Sequence, residues 1–157
     1  GGYLCSQLLT EKGYSVVLFE ESHIGGVCLN EGCIPTKFYL NKVKELKLSG
    51  VKANDDLLLS WKREIDEIRS VMRGNMENTL RGKGVNICRN RAHVKSISDE
   101  IIEIYAGDDT YVSKQLVLAV GSKEMVPNIG GLKESMESGF VQCSNKFIFA
   151  GFGLPDL

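Results

Sequence analysis

Two cysteines, Cys28 and Cys33, are separated by four residues and are the clearest indication of chemistry in this chain. They lie in the run GGVCLNEGCIPTK. Gly25 and Gly26, which begin the run, have no Cβ, so the backbone there can approach a flat ligand closely. Pro35 suits a first helical turn, which predicts that Cys33 lies at a helix N-terminus, where the helix dipole favours a reactive thiolate. The pair is therefore predicted to be a redox centre.

Three alternative roles for these cysteines stay open. A zinc site usually has four ligands, often in two closely spaced pairs, whereas this sequence offers no second pair of cysteines and only two histidines, His23 and His93. A structural disulfide across so short a loop would stabilise the fold by about 2 kcal/mol. Buried free cysteines would leave the surrounding glycines without a role.

The run from Cys28 to Lys37 resembles the active-site signature of the FAD-dependent pyridine nucleotide-disulfide oxidoreductases, and it is most similar to the version in the dihydrolipoyl dehydrogenase branch. The resemblance implies that Cys28 and Cys33 form a redox disulfide, with Cys28 exchanging with substrate and Cys33 next to the flavin. It also implies that Lys37, one turn past Cys33, stabilises negative charge on the reduced flavin. Val27 departs from the pattern, because the family usually has threonine there.

The first twenty residues resemble the end of a dinucleotide-binding fingerprint. Gly1 and Gly2 precede an apolar pattern with helical spacing, which is followed by the apolar stretch 15–19 and then by Glu20. In the complete fingerprint, a strand leads into a glycine-rich helix N-terminus that binds pyrophosphate, and an acidic residue about twenty positions later binds ribose. Gly2 and Glu20 are predicted to have these two roles, with the first strand missing. Together with the cysteine run, they predict FAD.

Further cofactor contacts are expected from the family resemblance. The backbone around Ala92 is expected to face the adenine, and the stretch 116–120 is expected to be a buried parallel strand that ends at the cofactor. The predicted cofactor-binding residues are Gly1, Gly2, Glu20, Gly25, Gly26, Val27, Cys28, Lys37, Ala92, Val120, Gly121 and Ser122. No metal-binding residue is predicted.

The remaining patterns predict an α/β fold. One helix is expected to continue past Lys37 until Ser49 and Gly50, and a second to begin at Asp55. An apolar stripe marks the second helix, at Leu58, Trp61, Ile65, Ile68, Met72, Met76 and Leu80. Short strands are predicted at 85–88, 92–97 and 101–105. We expect a three-layer Rossmann-like FAD-binding domain over 1–142, with an antiparallel insert at about 90–115 and without its first strand, followed by a connector at 143–157 towards a missing NAD-binding domain.

Length and composition restrict the possible functions. The chain has 157 residues, of which 43% are hydrophobic, so it can bury one core. Its 19 basic and 20 acidic residues are interspersed and the net charge is −1, which predicts no nucleic-acid or membrane partner. No apolar run is long enough to span a bilayer and no leader opens the sequence, so a cytoplasmic location is expected. Once Cys28 and Cys33 pair, the other three of the five cysteines cannot all be bridged.

The resemblance implies a complete reaction for the family's longer subunit. Dihydrolipoamide and NAD would be converted to lipoamide and NADH through the Cys28–Cys33 disulfide and FAD. The implied partners are a free or protein-bound lipoyl dithiol, a second identical subunit, and a 2-oxoacid dehydrogenase or glycine cleavage complex. The 157-residue chain alone is expected to be inactive, since it lacks a nicotinamide site. The alternatives are a mercuric or low-molecular-weight disulfide reductase, and a flavin-binding module without nicotinamide chemistry.

Overall fold

The computed structural model describes residues 1–122, 128 and 130, and the chain forms two units. One unit comprises Gly1–Gly25 and Arg73–Gly121, and the other comprises Gly26–Met72 and Ser122. The elements in chain order are α1 (Gly2–Glu11), β1 (Val17–Phe19), α2 (Gly26–Asn30), α3 (Cys33–Ser49), α4 (Asp55–Gly82), β2 (Asn86–Cys88), β3 (Ala92–Ile97), β4 (Ile102–Ala106) and β5 (Asp109–Ser113).

A parallel pair of strands forms the centre of the first unit. Strands β1 and β2 pair from Val17 opposite Asn86 to Phe19 opposite Cys88, and the amide of Glu20 extends the pairing with a 2.9 Å bond to the Cys88 carbonyl. Helix α1 precedes β1, as predicted. The buried core consists of Ile24, Leu80, Val85 and Ile87, with Tyr3, Val16, Leu18 and Met76 packed against it.

A separate antiparallel sheet follows β2 along the chain. Strands β3, β4 and β5 pair in that order, with an irregularity in the register between Val94 and Ser96. A tight turn at Gly107, with φ of 64°, joins β4 to β5. Strands were predicted at 92–97 and 101–105, and both are present within a residue of those bounds. Strand β5 was not predicted, because the polar residues that begin it resemble a continuation of the turn.

Helix α3 and the part of α4 up to Met72 dominate the second unit. Helix α3 ends at Ser49, and Gly50 follows it with φ of 68°, a conformation that costs glycine little. The side chain of Asn54 caps α4 by accepting a 2.8 Å bond from the amide of Leu57. Trp61 and Ile65 are buried, which confirms that Trp61 belongs to the predicted apolar stripe. In the middle of that stripe, Ile68 and Met72 are exposed.

The prediction of a parallel strand at 116–120 is wrong, because the structure describes these residues and they form no strand. The stretch has no strand conformation, and Val117, Leu118 and Val120 are exposed, the last to 90%. A strand needs a backbone partner, and the only described parallel pair is β1 with β2. An apolar composition alone therefore does not make this stretch a strand.

The sequence also led to expectations about membrane-spanning segments and about the C-terminal connector. Among the described residues, no helix has both the length and the apolar character needed to cross a membrane. The connector at 143–157 and Cys143 lie outside the described residues.

Candidate redox-active site

The backbone around the two cysteines is shaped by glycines. Gly25 and Gly26 have φ of 122° and 62° and lead into α2, a five-residue helix that carries Cys28 and that the sequence did not predict. Gly32 is the N-cap of α3, so Cys33 is the first helical residue, as predicted. A Cβ on Gly32 would lie 3.1 Å from the carbonyl oxygen of Val27, which already accepts a 2.8 Å bond from the Glu31 amide. Glycine at position 32 therefore allows the backbone before α3 to approach the carbonyl of Val27 closely.

The thiols of Cys28 and Cys33 are in contact as free, exposed cysteines. A hydrogen bond to the Cys33 side chain raises the pKa of Cys28, because it stabilises the protonated thiol. Partial desolvation and charge on Cys33 raise this pKa further. The Cys33 amide, which bonds to Cys28, and the nearby Lys37 ammonium act in the opposite direction. In the reduced protein, the two sulfurs are thus held together with Cys28 protonated.

This arrangement predicts the pH dependence of alkylation in the reduced full-length protein. A raised pKa keeps Cys28 protonated to higher pH. The pH at which its alkylation rate is half of the maximum should therefore lie above about 8.5, the pKa of an ordinary cysteine. By linkage, the thiol pair stabilises the reduced fold below about pH 8.5, and this contribution is lost as pH rises through the folded-state pKa. Iodoacetamide labelling followed by peptide mass spectrometry measures the profile.

Three variants separate the causes of that shift. Cys33→Ala removes the thiol that stabilises protonated Cys28, so the profile should move to lower pH. Lys37→Met removes a cation that favours the thiolate, so it should move to higher pH. Lys44→Met removes an exposed cation farther along α3 and should leave the profile unchanged. A Cys28 profile at or below that of a free cysteine in the wild-type protein would contradict the geometry.

The residues predicted to bind the nucleotide end of FAD lie in the first unit. Gly1 is the N-cap of α1, and no side chain caps the helix's first N–H groups. A Cβ on Gly2 would lie 3.4 Å from the Leu18 side chain, so α1 begins in contact with β1. Glu20 follows β1, and its Oε1 accepts a 2.9 Å bond from the Ser22 amide. Gly2 and Glu20 therefore lie at the two ends of one α1–β1 segment.

The other predicted cofactor residues have different surroundings. Ala92 begins β3 opposite Ala106 and is half-buried. Val120 and Gly121 are exposed, Gly121 has φ of 73°, and Ser122 belongs to the second unit. The structure brings Cys28, Cys33 and Lys37 together in one unit, beside Gly26 and Val27. It places Gly1, Gly2, Glu20, Gly25, Ala92, Val120 and Gly121 in the other unit.

Sequence reasoning missed Arg69, which contacts the chain between the two cysteines. Its Nη1 donates a 2.7 Å bond to the carbonyl oxygen of Asn30. The only local signal is Asp66, three residues earlier, which suggests a helical ion pair but no contact 39 positions away. Among the described residues, no cluster of three or more His, Cys, Asp or Glu side chains could hold a metal ion.

Sequence and structure comparisons with known proteins identify the family and the fold of the chain. The pyridine nucleotide-disulphide oxidoreductase family model matches residues 1–148. The HOCl-induced flavoprotein disulfide reductase RclA from Escherichia coli, solved as a Cu(II) complex, has a similar fold, with a TM-score of 0.66 at 20% identity over 85% of this chain and 28% of that one. The fold class is thus α/β. The chain belongs to the pyridine nucleotide-disulphide oxidoreductase family.

Curated relatives are consistent with that membership. Dihydrolipoyl dehydrogenase from Acholeplasma laidlawii is 29% identical, over 94% of this chain and 46% of the relative. Dihydrolipoyl dehydrogenase from Thermus scotoductus is 33% identical, over 80% of this chain and 28% of the relative. The chain spans less than half the length of each of these relatives. Members of the family are oxidoreductases that use FAD and a nicotinamide nucleotide.

Proposed function

We propose that this chain is the flavin-binding and disulfide-bearing part of a dihydrolipoyl dehydrogenase. The observation that carries the proposal is the contact between the free, exposed thiols of Cys28 and Cys33 at the start of α3. A buried structural disulfide would not need solvent access, whereas thiols that exchange with a substrate do. The signature resemblance favours dihydrolipoamide as the substrate, and the curated relatives support the family.

Residues of the first unit are proposed to bind the nucleotide end of FAD. The first N–H groups of α1 have no side-chain cap, and such groups bind phosphate oxygens well because they add to the positive end of the helix dipole. Glu20 has one carboxylate oxygen bonded to Ser22, and a carboxylate can accept several further hydrogen bonds from ribose hydroxyls. Gly1, Gly2 and Glu20 would hold this end, and Ala92, Val120, Gly121 and Ser122 are proposed to contribute further contacts. Gly25, Gly26, Val27, Cys28 and Lys37 are proposed to contact the rest of the cofactor.

The two cysteines would oxidise the substrate by thiol–disulfide exchange. One thiolate of dihydrolipoamide attacks the Cys28 sulfur of the Cys28–Cys33 disulfide, forms a mixed disulfide and releases the Cys33 thiolate. The second lipoyl thiolate then attacks the lipoyl sulfur of the mixed disulfide, closes the lipoamide ring and releases the Cys28 thiolate. Two electrons have moved from the lipoyl dithiol to the cysteine pair. Bound FAD supplies the route for these electrons to NAD, and the ammonium of Lys37 is proposed to favour the negative charge that develops.

The wider setting of the enzyme is also a proposal. The substrate dithiol would be free lipoamide or a lipoyl group on a 2-oxoacid dehydrogenase or glycine cleavage complex. The full-length protein would be a cytoplasmic homodimer with a three-layer FAD domain. These expectations follow from the family, whose members are longer than this chain.

The full-length enzyme loaded with FAD provides the test. NADH formation from dihydrolipoamide should proceed at roughly 1–1,000 per second, whereas the 157-residue chain alone should be inactive. Glutathione disulfide and Hg(II), each with NADPH, are the comparison substrates. Dihydrolipoamide turnover below a hundredth of that with either comparison substrate would contradict the substrate assignment. Absence of turnover with all three would indicate a flavin-binding module instead.

A further inference from the structure

Arg69 connects the middle of α4 to the segment between the two cysteines. Its Nη1 donates a 2.7 Å hydrogen bond to the carbonyl oxygen of Asn30, and its Nη2 forms an ion pair with Asp66, one turn earlier on α4. Asn30 lies two residues after Cys28 and three before Cys33. All of these residues belong to the second unit. The guanidinium thus contacts the backbone segment that connects the two cysteines.

The Asn30 carbonyl is a specific target for such a donor. Asn30 is the last residue of α2, and the final carbonyls of a helix have no partner within it. The rest of the short helix is held by its own bonds, from the Asn30 side chain to the Gly26 carbonyl and from the Glu31 amide to the Val27 carbonyl. The bond from Arg69 ties this locally bonded segment to the long helix α4.

The charge of Arg69 has a different role from that of Lys37. The cation that lowers the pKa of Cys28 is Lys37, and the thiol that raises it is Cys33. The Nε of Arg69 is buried and has no acceptor within the described part of the chain. One N–H donor of this guanidinium is therefore left without a hydrogen bond there. Its contacts go to Asn30 and Asp66, which points to control of position.

We propose that Arg69 is a positioning residue that sets the reduction potential of the Cys28–Cys33 pair, an inference that rests on the proposed disulfide chemistry. Fixing Asn30 restricts the motion of the segment that separates the sulfurs, and this raises the effective concentration of one thiol at the other. A higher effective concentration favours the disulfide over the dithiol. Loss of Arg69 should therefore make the disulfide easier to reduce.

The equilibrium with glutathione measures this effect without enzyme turnover. In that reaction the two cysteine thiols and one glutathione disulfide give the protein disulfide and two glutathione thiols, so electrons and protons balance. Arg69→Gln should lower the equilibrium constant for protein disulfide formation by threefold to tenfold, which corresponds to a potential about 14 to 30 mV less negative. Arg69→Lys, which keeps a charge and a donor, should restore part of the difference. Arg63→Gln, which removes an exposed cation from the same helix, is the control and should match the wild type.

The experiment separates the two proposals. Failure of wild-type Cys28 and Cys33 to form a disulfide in full-length protein would overturn the proposed function and with it this inference. A wild-type disulfide whose potential is unchanged in folded Arg69→Gln would overturn the positioning role alone. Should Arg69→Gln fail to fold, Asp66→Asn decides, because it removes the carboxylate that orients the guanidinium and leaves Arg69 in place. We expect at least a twofold fall for Asp66→Asn, and an unchanged constant would refute the proposal.

Discussion

Replacing Cys28 by serine in the full-length enzyme is expected to lower dihydrolipoamide oxidation by roughly 10³- to 10⁶-fold, the range found when a residue of covalent catalysis is removed. A serine hydroxyl cannot form a disulfide with Cys33, so no exchangeable sulfur–sulfur bond exists in the variant. Cys33→Ser should cause a loss of the same order, because both sulfurs are needed for one disulfide. Initial rates of NADH formation at saturating substrate measure the effect.

Cys5→Ser provides a matched control for the cysteine substitutions. Cys5 is a free, partly buried cysteine of α1, in the other unit of the chain. The same change of sulfur to oxygen there should leave the rate within about threefold of the wild type, since the small residue is not part of the proposed disulfide. Retention of more than a tenth of the wild-type rate in Cys28→Ser would refute the role proposed for this thiol.

Leu80→Ala is expected to produce a large loss of local stability. Leu80 has no exposed surface and packs with Ile24, Val85 and Ile87 in the core of the first unit. Its removal should lower the free energy of opening by about 2–5 kcal/mol, from the lost transfer energy and the cavity left behind. Amides of β2 that exchange through opening of this core should then exchange about 30- to 4,000-fold faster, at about 1.4 kcal/mol per tenfold.

Hydrogen exchange followed by mass spectrometry in the full-length protein measures that change. The peptide that contains β2 reports on the core directly, because Ile87 lies on this strand. Leu48→Ala is the control, since Leu48 is 81% exposed near the end of α3, and exchange in the β2 peptide should stay within about twofold. Exchange in Leu80→Ala within threefold of the wild type would show that this cluster does not limit opening of the unit.

Local sequence signals predicted the two long helices α3 and α4 well. Pro35 in a first turn, and Gly50 after an apolar helical pattern, mark the two ends of α3, and Asp55 marks the start of α4. These signals are reliable because helix ends are decided by a few neighbouring residues and their own backbone groups. The spacing of Cys28 and Cys33 is likewise a property of the chain itself.

Elements whose formation depends on more than their own residues were predicted less well. The stretch 116–120 has the apolar composition of a buried strand, yet the structure gives it no described partner and leaves Val120 exposed. Helix α2 was missed because five residues have little helical preference of their own, and its formation depends on the closure of the chain around Gly32.

By itself, the sequence determined the kind of chemistry, since two thiols with this spacing, the flanking glycines and a helix start are all encoded within thirteen consecutive residues. The tertiary structure decided how the thiols are held. The contact between Cys28 and Cys33, the direction of the Cys28 pKa shift and the bond from Arg69 to Asn30 all depend on where separate segments meet. Arg69 and Asn30 are 39 positions apart, and only the packing of α4 against the end of α2 brings a guanidinium to that carbonyl.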